Sequence, residues 1–249
     1  MENLRSKEMK ISHDSVALDS YQTLAEYYLT VVDTKPFNAY YERPGTLALL
    51  PDVSGKNILD AACAAGWYTN WLLEHGAHVT AVDFSPNMIE MTKRRVGDKA
   101  KIVRADLNQA LDFINDASVD IVLSSLTLHY LKDWTTVMRE FYRILKKDGT
   151  MVFSVHHPFM DFTVFKRENY FLTELLNDEW DTDTHTGKVE VQFYRRPLSQ
   201  ITDAVLNAGF IIEKMAEPMP TSEFQKAQPE IYERLTQKPQ FLFVRAGKI

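Results

Sequence analysis

Three aspartates, two histidines and a run of small residues are the groups in this 249-residue sequence whose types and spacing could do chemistry. Asp60 ends the apolar segment Asn57-Ile-Leu-Asp60, and a turn with small side chains at Ala62, Ala64 and Gly66 follows it. Asp83 closes His78-Val-Thr-Ala-Val82, and Asp106 follows Lys101–Arg104. An acid at the end of a second strand can accept hydrogen bonds from both hydroxyls of a ribose. One at the end of a third could receive an adenine amino group. Any one of these acids also suits a helix cap. Three in successive units, the first followed by a small-residue turn, point to a nucleoside ligand. His129 and His156 follow the next two apolar runs, where an imidazole could serve as a base near neutral pH.

These residues need elements to hold them at one edge. Asn57–Asp60, His78–Val82, Lys101–Arg104, Val119–Ser124 and Thr150–Val155 read as strands, separated by helical stretches such as Trp67–His75 and Trp134–Leu145. Ser85 reads as an N-cap with Pro86 at the first helical position. Strands alternating with helices imply crossover units and a parallel sheet. Ligands of such sheets bind outside the carboxyl ends of the strands. Leu198–Ala208 reads as a further helix, with strands at Phe210–Met215 and Gln240–Arg245. A first helix spans Tyr21 to about Val32, and the chain breaks at Pro44-Gly45. The expected architecture is a doubly wound α/β fold: a mostly parallel seven-stranded sheet with helices on both faces. Residues 1–50 form an N-terminal helical segment and 51–249 the ligand-binding domain. Within the latter, residues 157–197 break the rhythm and read as a substrate cap.

Composition narrows the classes. The chain is 45% hydrophobic and 25% charged, with net charge -6 and no basic block, so no nucleic-acid groove is advertised. No stretch approaches the roughly 18 apolar residues of a membrane span, and a cytoplasmic protein is expected. The single cysteine, Cys63, excludes an internal disulfide or multi-cysteine metal site, and no metal-ligand spacing is present. Among the remaining candidates, Arg43 could meet a carboxylate. Arg195 and Arg196 read as solvated charges that could otherwise hold an anion. The aromatics Phe159, Phe162, Phe165, Tyr170, Phe171 and Trp180 read as packing or cover over a cleft.

In these segments the chain resembles the class I S-adenosylmethionine-dependent methyltransferases, particularly those that act on small molecules. Ile-Leu-Asp-Ala-Ala-Cys-Ala-Ala-Gly stands where the family has an acid followed by Gly-x-Gly-x-Gly. Ala-Val-Asp-Phe-Ser-Pro-Asn-Met and Arg-Ala-Asp-Leu match its ribose and adenine segments, and Ser-Ser-Leu-Thr-Leu-His-Tyr-Leu its fourth strand. The resemblance implies S-adenosylmethionine as cofactor, S-adenosylhomocysteine as product, and in-line transfer of the methyl group to a small-molecule acceptor. It makes Asp83 the ribose acid and places Phe84 on the adenine face. Met88 and Leu107 line the purine pocket, and Asp106 meets the amino group. Asp60, Ala62 and Gly66 belong to the methionine loop, and Ser124, Ser125 and Leu126 lie near the sulfonium. Tyr21 and Tyr28 are candidates to close the site, and His129 and His156 are the candidate catalytic bases. Two family glycines are alanines here, at positions 62 and 64. In a left-handed conformation each costs on the order of 1 kcal/mol. A non-catalytic S-adenosylmethionine-binding protein is therefore an alternative. An NAD-dependent oxidoreductase is a weaker one, because the first loop lacks the Gly-x-Gly-x-x-Gly that cradles a pyrophosphate. The sequence leaves the acceptor and the oligomeric state open.

Overall fold

The computed structural model describes residues 32–181 and 188–249. The helix expected from Tyr21, with Tyr21 and Tyr28 themselves, lies outside the described residues. Strands β1 (Asn57–Ala61), β2 (His78–Asp83), β3 (Lys101–Arg104), β4 (Val119–Ser124) and β5 (Leu145–His156) run parallel. Next come β6 (Glu174–Asp181) and β7 (Lys188–Arg195), an antiparallel pair apart from the main sheet, and then β8 (Ile211–Ala216) and β9 (Phe241–Gly247). The main sheet has seven strands in the order β3-β2-β1-β4-β5-β9-β8, and β9 runs antiparallel to both of its neighbours. The fold is the doubly wound, mostly parallel one expected from the alternation of strands and helices.

Successive side chains of a strand face opposite layers, and here each layer closes a core. On one side Leu59, Val82, Val122 and Phe153 pack with Val137, Met138 and Phe141 of α4 (Thr135–Ile144) and with Ile201 and Val205. On the other, Ile58, Val79, Ile121 and Val152 meet Tyr41, Tyr68, Leu72, Phe224 and Leu235. The α-helices of the described residues are α1 (Arg43–Leu47), α2 (Trp67–Glu74), α3 (Pro86–Val96), α4, α5 (Pro158–Val164), α6 (Leu198–Asn207), α7 (Ser222–Ala227) and α8 (Pro229–Leu235); of these, α2, α4, α6, α7 and α8 carry the α-helical residues just named. Ser85 caps α3 by accepting the Met88 N–H, with Pro86 first in the helix.

The break expected at Pro44-Gly45 is absent. A π-helical turn over Asn38–Glu42, closed by the Arg43 N–H to the Asn38 carbonyl, runs directly into α1. The wider turn accommodates a proline without an N–H inside a helical run. Gly45 is a matter of space, because a Cβ there would stand 2.7 Å from the Phe243 ring. The segment 157–197 is also more regular than its composition suggests, holding α5 and the β6–β7 hairpin. Among the described residues, no helix is long and apolar enough to cross a membrane.

Candidate active site

Strand order reverses between β1 and β4, and the carboxyl ends of those strands open onto a cavity of about 430 Å³. This crevice is where open α/β sheets take their ligands. The turn after β1 forms its floor. Ala62 has φ +66° and Ala64 φ +48°, both left-handed. The Cys63 N–H donates to the Val82 carbonyl at 2.8 Å, and the Ala64 N–H to Asp83 Oδ2 at 3.0 Å. The Thr92 hydroxyl holds the Ala64 carbonyl at 2.8 Å. The turn is thus fixed to β2 and α3 while bearing roughly 1–2 kcal/mol of strain at each alanine. Leu126, after β4, is also left-handed at φ +45°. Backbone strain gathered at one cavity is a common mark of a functional site.

Asp83 is buried, accepts the Ser85 N–H on Oδ1 at 2.9 Å, and lines the cavity. Burial pushes its carboxyl up to about 6 against the pull of those backbone donors. Asp106 also lines the cavity. Its Oδ1 accepts from the backbone and side chain of Asn108, while its enclosed Oδ2 has no partner among the described residues. Ala62, Phe84, Leu107, Ser125, Leu126, His129 and His156 complete the sequence-derived part of the wall.

Four expected residues stand behind the wall instead. Asp60 is buried beneath the turn, accepts the Thr69 hydroxyl at 2.6 Å, and is pushed by burial up to about 7. Met88 packs with Val32, Ala65 and Met91. Ser124 is buried within the sheet with an unpartnered hydroxyl. Gly66 serves packing: at φ +76°, a Cβ there would lie 2.9 Å from the Thr92 side chain.

In the wall of the same cavity the rings of His129 and His156 stack, centroids 4.0 Å apart and planes 18° apart. Burial holds His129 well below the usual imidazole range and brings His156 to about 4, so both are neutral at neutral pH. Both His129 nitrogens are enclosed without partners, whereas for His156 only Nδ1 is. His157 points elsewhere: its Nδ1 accepts the Phe159 N–H to cap α5, and its Nε2 meets Glu217 at 2.5 Å.

The arginines are not solvated as expected. Arg195 is buried, paired with Glu174 at 2.6 Å, and donates to the carbonyls of Asn169, Tyr170 and Leu172. Arg196 is buried over the Trp134 ring, 4.4 Å from its centroid. Arg43 lines the cavity, where it holds the Val32 and Asp33 carbonyls and stacks on Trp67.

Glu42 carries no local sequence signal, yet it is the best-connected side chain in the wall. Its Oε1 accepts the hydroxyls of Thr46 (2.7 Å), Ser125 (2.8 Å) and Ser154 (2.7 Å), and Oε2 that of Tyr68 (2.8 Å). One buried carboxylate thereby ties α1, α2 and the ends of β4 and β5. Asp178, Glu179 and Trp180 of β6 also reach the cavity, and Lys35 lies 5.0 Å over the Trp180 ring.

Comparison with known proteins agrees with this arrangement. Residues 59–153 match the family model of a methyltransferase domain. A crystal structure of an S-adenosylmethionine-dependent methyltransferase from Mesorhizobium loti is 28% identical, covering 87% of this chain and 100% of that one, at a TM-score of 0.68. A Listeria monocytogenes protein described as a candidate enzyme of the same class is 26% identical over 84% of this chain and 96% of that one, at a TM-score of 0.72. A Haemophilus influenzae protein described as uncharacterized is 25% identical over 85% of this chain and 89% of its own length. The chain spans only 38%, 19% and 54% of three curated relatives whose names state a methyl acceptor. With the sheet order and the cavity described above, these likenesses identify residues 59–153 as a methyltransferase domain and the fold as that of S-adenosylmethionine-dependent methyltransferases.

Proposed function

We propose that the chain methylates a small, partly apolar acceptor, with His156 taking the acceptor's proton. One observation carries this reading: a single cavity is lined by Asp83 and Asp106 and also by the stacked rings of His129 and His156.

The donor set fits the cofactor. Asp83, when ionised, keeps free lone pairs beyond its two backbone donors, suited to two ribose hydroxyls. The enclosed, unpartnered Oδ2 of Asp106 suits an adenine amino group. Phe84, Ala105 and Leu107 supply apolar wall beside them. Ala62, Ser125 and Leu126 would flank the methionine part, with Glu42 and Arg43 as the charged groups near it. When bound, S-adenosylmethionine supplies a methyl group activated by its sulfonium charge.

What the chain's residues contribute is alignment and proton removal. Holding an acceptor in line can supply much of the acceleration in such a transfer. His156 is neutral and lines the cavity, so it serves as the base; His129, both of whose nitrogens are enclosed, braces it by stacking. Tyr130, Trp180 and Phe241 exclude water and favour a flat, partly apolar acceptor. The β6–β7 hairpin acts as the cap, with Trp180 closing against Lys35.

Calorimetric titration with S-adenosylmethionine, S-adenosylhomocysteine and NAD tests the cofactor assignment. Turnover to S-adenosylhomocysteine in a metabolite extract tests the enzyme. Tight NAD binding with no binding of S-adenosylmethionine would overturn the reading. Binding without turnover would leave a cofactor-binding protein.

A further inference from the structure

We propose that Asp161 is the positioning residue for His156: its carboxylate takes the Nδ1 side of the ring, so that Nε2 is the nitrogen that gains and loses a proton towards the large cavity. The inference rests on the reading of His156 as the base, and it identifies a partner that the stack with His129 does not provide.

Geometry carries it. His156 ends β5, and the first turn of α5 brings Asp161 back beside it, with Oδ1 3.7 Å from Nδ1. Asp161 is fixed there by its N–H to the His157 carbonyl at 3.1 Å. Both side chains are almost wholly removed from solvent, and Nδ1 is enclosed and makes no hydrogen bond among the described residues. The plane of the ring is set separately. His129 stacks on it, and Phe193 meets it edge-on at 85°, 4.5 Å between centroids. Neither contact distinguishes the two ring nitrogens, whereas Asp161 does.

A neutral imidazole has one N–H and one lone pair, and the group facing one nitrogen decides the role of the other. A carboxylate beside Nδ1 favours the proton there and leaves the Nε2 lone pair free. When Nε2 takes a proton, the imidazolium lies against a negative oxygen instead of in an apolar enclosure. The other charged and titratable groups around the pair are His129 from the turn after β4, Arg195, Tyr194 and Arg196 at the end of β7, and Asp178 on β6. Arg195 favours the ionised carboxyl; burial and Asp178 oppose it and hold Asp161 well above the usual carboxylate range. Burial alone takes His156 to about 4. In contact, the two groups hold one dissociable proton between them and titrate as a unit. The pair keeps that proton to a higher pH than His156 would alone, which brings the base towards neutral pH.

The test is a pH titration of the full chain carrying 15N-labelled histidine, followed by NMR. His156→Gln assigns the signals, and Asp161→Asn preserves the shape of the side chain without its charge. In the wild type, above the midpoint, the proton should be on Nδ1 of His156. The midpoint should lie at least one pH unit above that of D161N, a tenfold change in proton affinity. An Asp161→Ala variant should let the Nε2–H form accumulate. Equal midpoints in wild type and D161N, or a wild-type ring protonated on Nε2 above the midpoint, would overturn the proposal. Both readouts are independent of turnover. If H156Q retains full turnover of S-adenosylmethionine in a metabolite extract, the base reading fails while the NMR result on Asp161 stands.

Discussion

Replacing Asp83 by asparagine separates two tasks that one carboxylate performs. Each of its oxygens accepts a backbone N–H, Oδ2 from Ala64 and Oδ1 from Ser85. An amide offers one acceptor, so its NH2 must face one of those donors. A protonated Asp83 has the same defect, because its O–H occupies one oxygen. Burial raises this carboxyl from 3.8 to about 6, about 3 kcal/mol of cost to keeping the empty site ionised above pH 6. At pH 7.5 the empty site is already ionised, so binding gains roughly 1.5–3 kcal/mol for each ribose hydroxyl donating to the anion, and D83N loses about one such bond. The net loss in D83N is then about 2 kcal/mol, roughly 30-fold weaker binding at pH 7.5. As pH falls through about 6 the wild type acquires the asparagine-like hydrogen-bond pattern, so the two affinities converge towards pH 5. Calorimetric titration of both proteins with S-adenosylhomocysteine from pH 5 to 8 reads this directly. A ratio of dissociation constants that stays constant across the range would refute the role given to the Asp83 charge.

Other perturbations have equally definite outcomes. Ala62→Gly and Ala64→Gly together relieve left-handed strain at φ +66° and +48°. After the greater freedom of the unfolded glycine chain is counted, about 1 kcal/mol should remain, seen as a Tm rise of about 2–4 °C; a lower Tm contradicts the assignment of strain. Glu42→Ala leaves the hydroxyls of Thr46, Tyr68, Ser125 and Ser154 without their shared acceptor. It should cost about 3 kcal/mol or more in denaturant unfolding, and a loss below about 1 kcal/mol would remove Glu42 from the scaffold. Asp60 holds its proton to about 7 in the folded chain. Unfolded, it releases the proton near pH 4. Its contribution to stability is therefore present below about pH 4 and lost as pH rises through 7. Asp60→Asn should gain stability relative to wild type between pH 5 and 8, and a flat difference argues against a raised Asp60. Trp180→Ala releases the contact with Lys35. Amide hydrogen exchange around Lys35 and in β6 should then rise about fivefold together; a rise in β6 alone separates the two segments.

The parallel strands were legible because they are buried on both faces. Ile58-Leu59, Ala81-Val82 and Ile121-Val122-Leu123 are unbroken apolar runs that end in Asp or Ser. The hairpin was not. In β7 the buried residues Val189, Val191, Phe193 and Arg195 alternate with more exposed ones, a period-two signal that charged neighbours obscured. Strand β6, Glu-Leu-Leu-Asn-Asp-Glu-Trp-Asp, carries too many acids to read as sheet by itself. Within the site, Asp83, Asp106, His129 and His156 were legible because they follow strands at one edge. Glu42 and Asp161 were not, since a buried acid is explained only by partners the fold brings near. For Glu42 these include Ser154, a contact 112 positions away in sequence. Arg195 misled for the same reason: its partners lie on the loop 169–173 and at Glu174, the first residue of β6, which no local pattern places.

The position of β9 shapes how the molecule must assemble during synthesis. β9 follows every other element of the sheet in sequence, yet it lies between β5 and β8 and pairs with β5 from Thr150↔Gly247 to His156↔Phe241. Until that segment has left the ribosome, the longest strand presents a bare apolar edge, the kind of surface that recruits chaperones or other nascent chains. Gln240 and Phe241, which complete the cavity beside His156, arrive with the same segment. The growing polypeptide therefore carries Asp83, Asp106, His129 and His156 before it carries the residues that complete the cavity they line.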